Sequence, residues 1–192
     1  MENNKKLADT FGFDGMFFHG CDIADYMPDY RPDLVYSLHA CDTATDKTLH
    51  LGLRSNARNI LSVSCCQHTL MKTIKSGPYT GVTKNQVFKK KLAYMIGDSM
   101  RALLLEMQGY KVDIIEFASS RYTDKNVMLR ARIGQSKDKA GLNEEYSMLQ
   151  NTFSLKPALE GYLDREEKIT VPLLADMNVC SLSVNELSGL CN

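Results

Sequence analysis

The stretch from Pro32 to His68, PDLVYSLHACDTATDKTLHLGLRSNARNILSVSCCQH, constrains the fold more than any other part of the chain. Two apolar runs within it, Leu34–Leu38 and Asn59–Val63, have the length and β-branched content of buried strands. The residues between them, Thr45 to Asn56, have helical character. Strand, helix and strand in this order make a βαβ unit, whose crossover is right-handed in nearly all proteins. Each run ends in reactive side chains: His39, Cys41 and Asp42 after the first, Cys65, Cys66 and His68 after the second. Ligands of open α/β sheets bind beyond the carboxyl ends of the strands, so both clusters fall where a site is expected.

The totals narrow the setting. A chain of 192 residues is long enough to bury a real core in one main domain. Lys plus Arg balances Asp plus Glu, 23 against 23. That argues against a strongly basic nucleic-acid binder and leaves a local basic patch open. Six cysteines without regular spacing do not make a secreted disulfide framework. No signal-peptide pattern and no membrane-spanning apolar run appear, so a soluble, reducing, cytoplasmic setting with no membrane partner is expected.

Around the central unit, Leu7, Ala8 and Phe11 predict a helix that stops near Gly12, and Met16–His19 predicts a short strand. A loop rich in Gly, Thr and Lys follows His68. A long helix is expected over Gln86–Gln108, carrying a stripe of Phe88, Leu92, Met95, Ile96, Met100, Leu103, Leu104 and Met107. Asp98 and Arg101 lie three apart, off that stripe, and read as a surface ion pair, with a functional D-x-x-R pair on this helix as the alternative. Lys111–Phe117 and Asn126–Ile133 predict two more strands. GQSKDKAGLNEE reads as a polar linker, with helices expected near Glu144–Asn151 and after Pro157. The expected organisation is one domain over residues 1–164 and a tail over 165–192 without firm pattern.

The segments SLHACDTATD, Ser37–Asp46, and SVSCCQH, Ser62–His68, resemble class I S-adenosylmethionine-dependent methyltransferases related to the tRNA 2′-O-methyltransferase branch. The resemblance covers residues 1–163 and departs at Ser64, where the family pattern has Pro, and at Thr69, where it has an acid. It implies a Rossmann-like sheet, mostly parallel with an antiparallel edge hairpin, in which the two segments end the fourth and fifth strands. Met16–His19 would be the third strand, and 111–117 with 126–133 the sixth and seventh. The implied cofactor is S-adenosylmethionine. Asp22 and Ile23 would meet its adenine, and the His39, Ala40, Cys41 and Asp42 backbone would line its methionine end.

No D-x-G-x-G loop occurs in these 192 residues, nor a ribose-binding acid on a following strand. By the resemblance the sheet therefore lacks its first two strands, which would lie between Met16–His19 and Leu34–Leu38. Leu34–Leu38 then becomes an apolar edge that must pair with something. Two functional readings follow. One is a methyltransferase, impaired as this isolated chain, with RNA or a small molecule as acceptor. The other is a non-catalytic α/β remnant that binds a partner, a second copy or a missing N-terminal half through the open edge.

The chemistry leaves several roles open. His39 is the candidate base, since an unperturbed imidazole titrates near neutrality; it can equally cap the strand end. Cys65, Cys66 and His68 complete the candidate catalytic set, with buried, chemically idle cysteines as the alternative. Thiolates and imidazoles also suit zinc, but adjacent cysteines do not easily point at one ion, so no metal is expected. The turn His39-Ala40-Cys41-Asp42 stands where enzymes that methylate exocyclic amines carry N/D-P-P-F/Y, and an oxygen acceptor fits better.

Overall fold

Parallel pairing of the two apolar runs sets the architecture. The computed structural model describes residues 2–74, 79–134 and 138–166. After α1 (Glu2–Thr10) the chain forms β1 (Leu34–Ala40), α2 (Thr43–Arg54) and β2 (Asn59–Ser64). Then come α3 (His68–Thr73), α4 (Thr80–Thr83), α5 (Gln86–Met107), β3 (Tyr110–Glu116), β4 (Val127–Ile133), α6 (Lys139–Phe153) and α7 (Ala158–Glu166). The sheet order is β1-β2-β4-β3. β1 pairs parallel with β2, whereas β4 pairs antiparallel with both β2 and β3. The result is a mixed α/β sheet compatible with a Rossmann-like fold. β1, β2 and β3 run in one direction and β4 runs against them, which puts an antiparallel hairpin at one edge of the sheet. Parallel pairs need a crossover, which α2 supplies, and the short loop from β3 to β4 allows only a hairpin.

The register shows which face is covered. Val35, Ile60, Ala131 and Val112 stand in one row across the four strands. Ile60 and Ala131 are fully buried and share a core cluster with Leu49 of α2 and Met100 and Leu105 of α5. Successive strand residues point to opposite faces. On the other face Leu34, Tyr36 and Leu38 are 45%, 63% and 58% exposed. Close packing of α2 on β2 depends on Gly52, where a Cβ would come within 2.6 Å of the Ile60 side chain.

Three expectations are corrected. Met16–His19 forms no strand. Met16 and Phe17 are 54% and 84% exposed, and no neighbouring strand pairs with this run among the described residues. Among the described residues nothing pairs with the outer side of β1. The polar segment before Glu144 is helical from Lys139, because the Asp138 carboxylate accepts from the Gly141 N–H at 2.9 Å and caps the helix. On α5 the buried face is rotated from the expected stripe: Phe88 and Met95 are exposed, while Ala93, Gly97, Arg101 and Leu105 are buried. Residues 167–192, most of the expected tail, lie outside the described residues.

No helix among the described residues is long and apolar enough to cross a membrane.

Candidate functional site

The site is built where β1 and β2 end side by side. Their register is regular from Leu34↔Asn59 to Leu38↔Val63, then shifts so that Ala40 faces Ser64. His39 is the extra residue and takes a left-handed backbone, φ 56°, as does Asp42, φ 53°. Positive φ is uncommon outside glycine. The bulge makes Cys41, rather than Ala40, the neighbour of Cys65. Cys41 Sγ lies 2.9 Å from Cys65 Sγ, and Cys65 Sγ lies 3.9 Å from Cys66 Sγ. The adjacent cysteines converge because the chain has left the strand after Ser64, so the alternation of faces no longer applies. The Cys65 thiol also donates to the His39 carbonyl at 3.2 Å. Burial pushes the Cys66 thiol up, with Cys41 adding to the rise. That direction weakens the reading of Cys66 as a nucleophile.

Asp42 holds the two strand ends together. Its N–H donates to the Cys66 carbonyl at 3.0 Å. Its carboxylate accepts from the Thr69 hydroxyl at 2.6 Å and from the Thr69 N–H at 3.2 Å, anchoring the start of α3. Thr69, where the family pattern has an acid, thus serves as a donor to Asp42. The Ala40 carbonyl accepts from the Thr45 hydroxyl at 2.6 Å. His39 is exposed on the bulge, and His68 is exposed as the first residue of α3. The structure therefore gathers Cys41, Cys65 and Cys66, with Asp42 beside them.

Asp22 and Ile23 belong to a separate loop laid along α2. The Asp22 carboxylate accepts from Lys47 Nζ at 2.6 Å and from the Ala24 N–H at 2.8 Å. The Lys47 hydrogen bond holds the Asp22 carboxyl below the usual carboxylate range, with the Ala24 N–H adding to the effect. Farther along this loop, the carbonyls of Ala24 and Tyr26 accept from Arg54 at 3.1 and 2.8 Å.

Beneath the strand ends lies a buried polar network. Arg101 of α5 donates to both oxygens of Asp46 on α2, each at 2.9 Å, and to Asp98 at 3.0 Å. Asp98 also accepts from the Ser64 hydroxyl at 2.8 Å and from the Gln67 amide at 3.0 Å. Arg101 is 1% exposed, Asp46 2% and Asp98 7%, which overturns the reading of Asp98 and Arg101 as a surface pair. The partner that draws them inside is Asp46, fifty-five residues away in sequence and invisible to a local reading. It is the last residue of the SLHACDTATD segment, a signal that the sequence did carry. Burial raises the Asp98 carboxyl, opposed by Arg101 and Ser64. Burial alone would lower Arg101, but Asp46 and Asp98 outweigh it and hold the guanidinium charged.

A cavity of about 590 Å³ opens beside this network, between α5 and the β3–β4 hairpin. Ser64 and Asp98 form its floor; Lys90, Lys91, Tyr94 and Lys125 supply its charged and aromatic wall. Tyr94 bridges the cavity to the thiol cluster by donating to the Cys65 carbonyl at 2.5 Å. Lys125 sits 3.6 Å from the centre of the Tyr94 ring. Desolvation pushes the Tyr94 phenol up to about 12. Ser120, Asp124 and Lys125 come from the loop between β3 and β4, the segment ASSRYTDK.

Replacing Arg101 by Met leaves two buried carboxylates without their cation, at a cost of about 3–5 kcal/mol. Urea unfolding should show this as a lower midpoint with an unchanged slope. The raised Asp98 carboxyl sets the pH dependence. A folded-state pKa above the unfolded one favours the protonated fold at low pH, and that advantage is lost as pH rises through the folded pKa. Without Arg101 the rise is larger. The deficit of Arg101→Met should therefore be greatest at neutral pH and shrink as pH falls toward the ordinary carboxylate range.

Residues 1–73 match a family model described as a methyltransferase domain. No curated protein and no solved structure matches the chain. The matched residues include β1, α2, β2 and the whole Cys41–Cys65–Cys66 cluster, and the match supports a methyltransferase in general terms.

Proposed function

We propose that this chain is the acceptor-side part of a class I S-adenosylmethionine-dependent methyltransferase, related to the tRNA 2′-O-methyltransferase branch, with an RNA oxygen as acceptor. The observation that carries this reading is the methyltransferase match over residues 1–73, which takes in both strand ends. The order β1-β2-β4-β3, a parallel pair beside an antiparallel hairpin, agrees with strands four, five, seven and six of such a sheet.

The residues present fit one wall of a cofactor site. Asp22 offers a carboxylate, and the loop from His39 to Asp42 offers backbone beside the outer side of β1. Several of those groups are already engaged: Asp22 with Lys47, Ala40 with Thr45 and Asp42 with Cys66. Bound S-adenosylmethionine supplies an electrophilic methyl group on a sulfonium, which departs as a neutral thioether. His39, exposed at the strand end, takes the proton that the acceptor hydroxyl loses. Cys65, Cys66 and His68 shape the same corner. The cavity holds the acceptor: its volume suits a nucleoside-sized group, Lys90, Lys91 and Lys125 meet phosphate, and Tyr94 gives an aromatic wall.

In this reading the 192 residues hold cofactor weakly by themselves, because no glycine-rich loop or ribose-binding acid is among them. Each missing charge-assisted hydrogen bond is worth roughly 1.5–3 kcal/mol. Two such losses move a micromolar site to a dissociation constant on the order of millimolar. Calorimetry with S-adenosylmethionine checks this, and micromolar binding by the chain alone would sink it. For the acceptor, Lys90→Glu with Lys91→Glu should weaken binding of a short RNA by at least about tenfold in fluorescence anisotropy. Unchanged affinity would remove the cavity from the reading.

A second reading rests on β1. Its outer side has no partner strand among the described residues, and it exposes Leu34, Tyr36 and Leu38. Lys, Pro or a bulge usually guards such an edge, and here the bulge comes only at its last turn of pairing, at His39. The strand would then pair with a second copy or a missing N-terminal half, with or without catalysis. Tyr36→Lys should lower the apparent mass of the isolated chain in light scattering. A clean monomer at high concentration, unaltered by this change, would eliminate the edge as an interaction surface.

A further inference from the structure

We infer that Cys41, Cys65 and Cys66 form a three-thiolate site for a zinc-class thiophilic metal ion. The three Sγ atoms lie within 4.8 Å of one another, and among the described residues no other His, Cys, Asp or Glu ligand atom joins the group. Zinc–sulfur bonds of about 2.3 Å at tetrahedral angles place sulfurs about 3.8 Å apart. Cys65 and Cys66 already stand at 3.9 Å. Cys41 and Cys65, at 2.9 Å, need to open by about 0.9 Å to share such an ion. Cys41 is exposed and has room to do so.

The backbone prepares this convergence. The bulge at His39 shifts the register by one residue, which brings Cys41 beside Cys65. Asp42, also left-handed, then ties the Cys41 turn to Cys66 through its N–H and to α3 through Thr69. Both sides of the cluster are thus fixed before any ion arrives, which lowers the ordering cost of binding. Thiolates select zinc and other soft ions over magnesium or calcium. Three ligands leave the fourth position to water or to a substrate atom. Binding exchanges three thiol protons for one ion, so the thiols must be reduced and affinity must rise with pH. A disulfide between Cys41 and Cys65 is the competing use of the closest pair, but it leaves Cys66 and its 3.9 Å contact without a role.

The test uses the full chain, reduced and stripped of metal, and zinc in competition with a chromophoric chelator. One equivalent should bind. Cys41→Ser, Cys65→Ser and Cys66→Ser should each weaken it at least tenfold, whereas Cys21→Ser and the pair Cys180→Ser with Cys191→Ser should not. Should a serine variant fail to fold, the unaltered chain still decides. Zinc should then shield Cys41, Cys65 and Cys66 from alkylation by iodoacetamide, mapped by mass spectrometry, and leave Cys21 reactive. Absence of stoichiometric binding overturns the inference. So does binding that follows Cys180 and Cys191, or a Cys41–Cys65 disulfide forming in air while the reduced chain takes up no zinc. Neither readout uses methyl transfer, so the result is independent of the proposed activity.

Discussion

The Arg101 guanidinium is the interaction on which the rest of this molecule depends. It sits 1% exposed between Asp46 of α2 and Asp98 of α5, and through Asp98 it reaches Ser64 and Gln67 at the end of β2. Two helices and one strand end are thereby locked at a single point. A buried ion pair is weak evidence of net stability, since desolvation offsets most of the attraction. Its value is positional. With both Asp46 oxygens and all three Arg101 nitrogens committed, there is one way to seat α2 and α5 over β2, and the strand end cannot shift without stranding a charge.

Everything at the carboxyl ends of the parallel pair inherits that placement. Ser64 is both a partner of Asp98 and the residue opposite Ala40, so the network beneath and the bulge above meet at one position. Cys65 and Cys66 follow at once, and Tyr94 of α5 reaches over to the Cys65 carbonyl. The thiol corner and the cavity beside α5 are therefore two sides of one rigid strand end. Ser64, the Asp42 carboxylate and the Cys65 carbonyl all find partners within the chain, which is how a loop at a strand end is held in one geometry for binding.

The outer side of β1 contrasts with this. The core row of Val35, Ile60, Ala131 and Val112 is covered by helices, whereas Leu34, Tyr36 and Leu38 face outward on a strand with one neighbour among the described residues. The methyltransferase match over residues 1–73 falls on the strands nearest that open side.

The sequence by itself determined the βαβ unit, the long helix, the hairpin and the glycine stops at Gly12 and Gly109, both with positive φ. These depend on local periodicity and on conformations that glycine alone adopts freely, so neighbouring residues suffice to specify them. It also held Cys41, Cys65 and Cys66 as candidates, since each follows an apolar run. Only the tertiary structure decided what those residues touch. Asp98 and Arg101 looked like an exposed pair because their third partner, Asp46, is distant in the chain. Adjacent cysteines do not easily point at one ion, yet these two converge because the chain has left β2 after Ser64. Met16–His19 looked like a strand because apolar residues were present, but a strand is completed by a neighbour's hydrogen bonds. Register, burial and partnership are properties of pairs far apart in sequence, and no window of the chain contains both members.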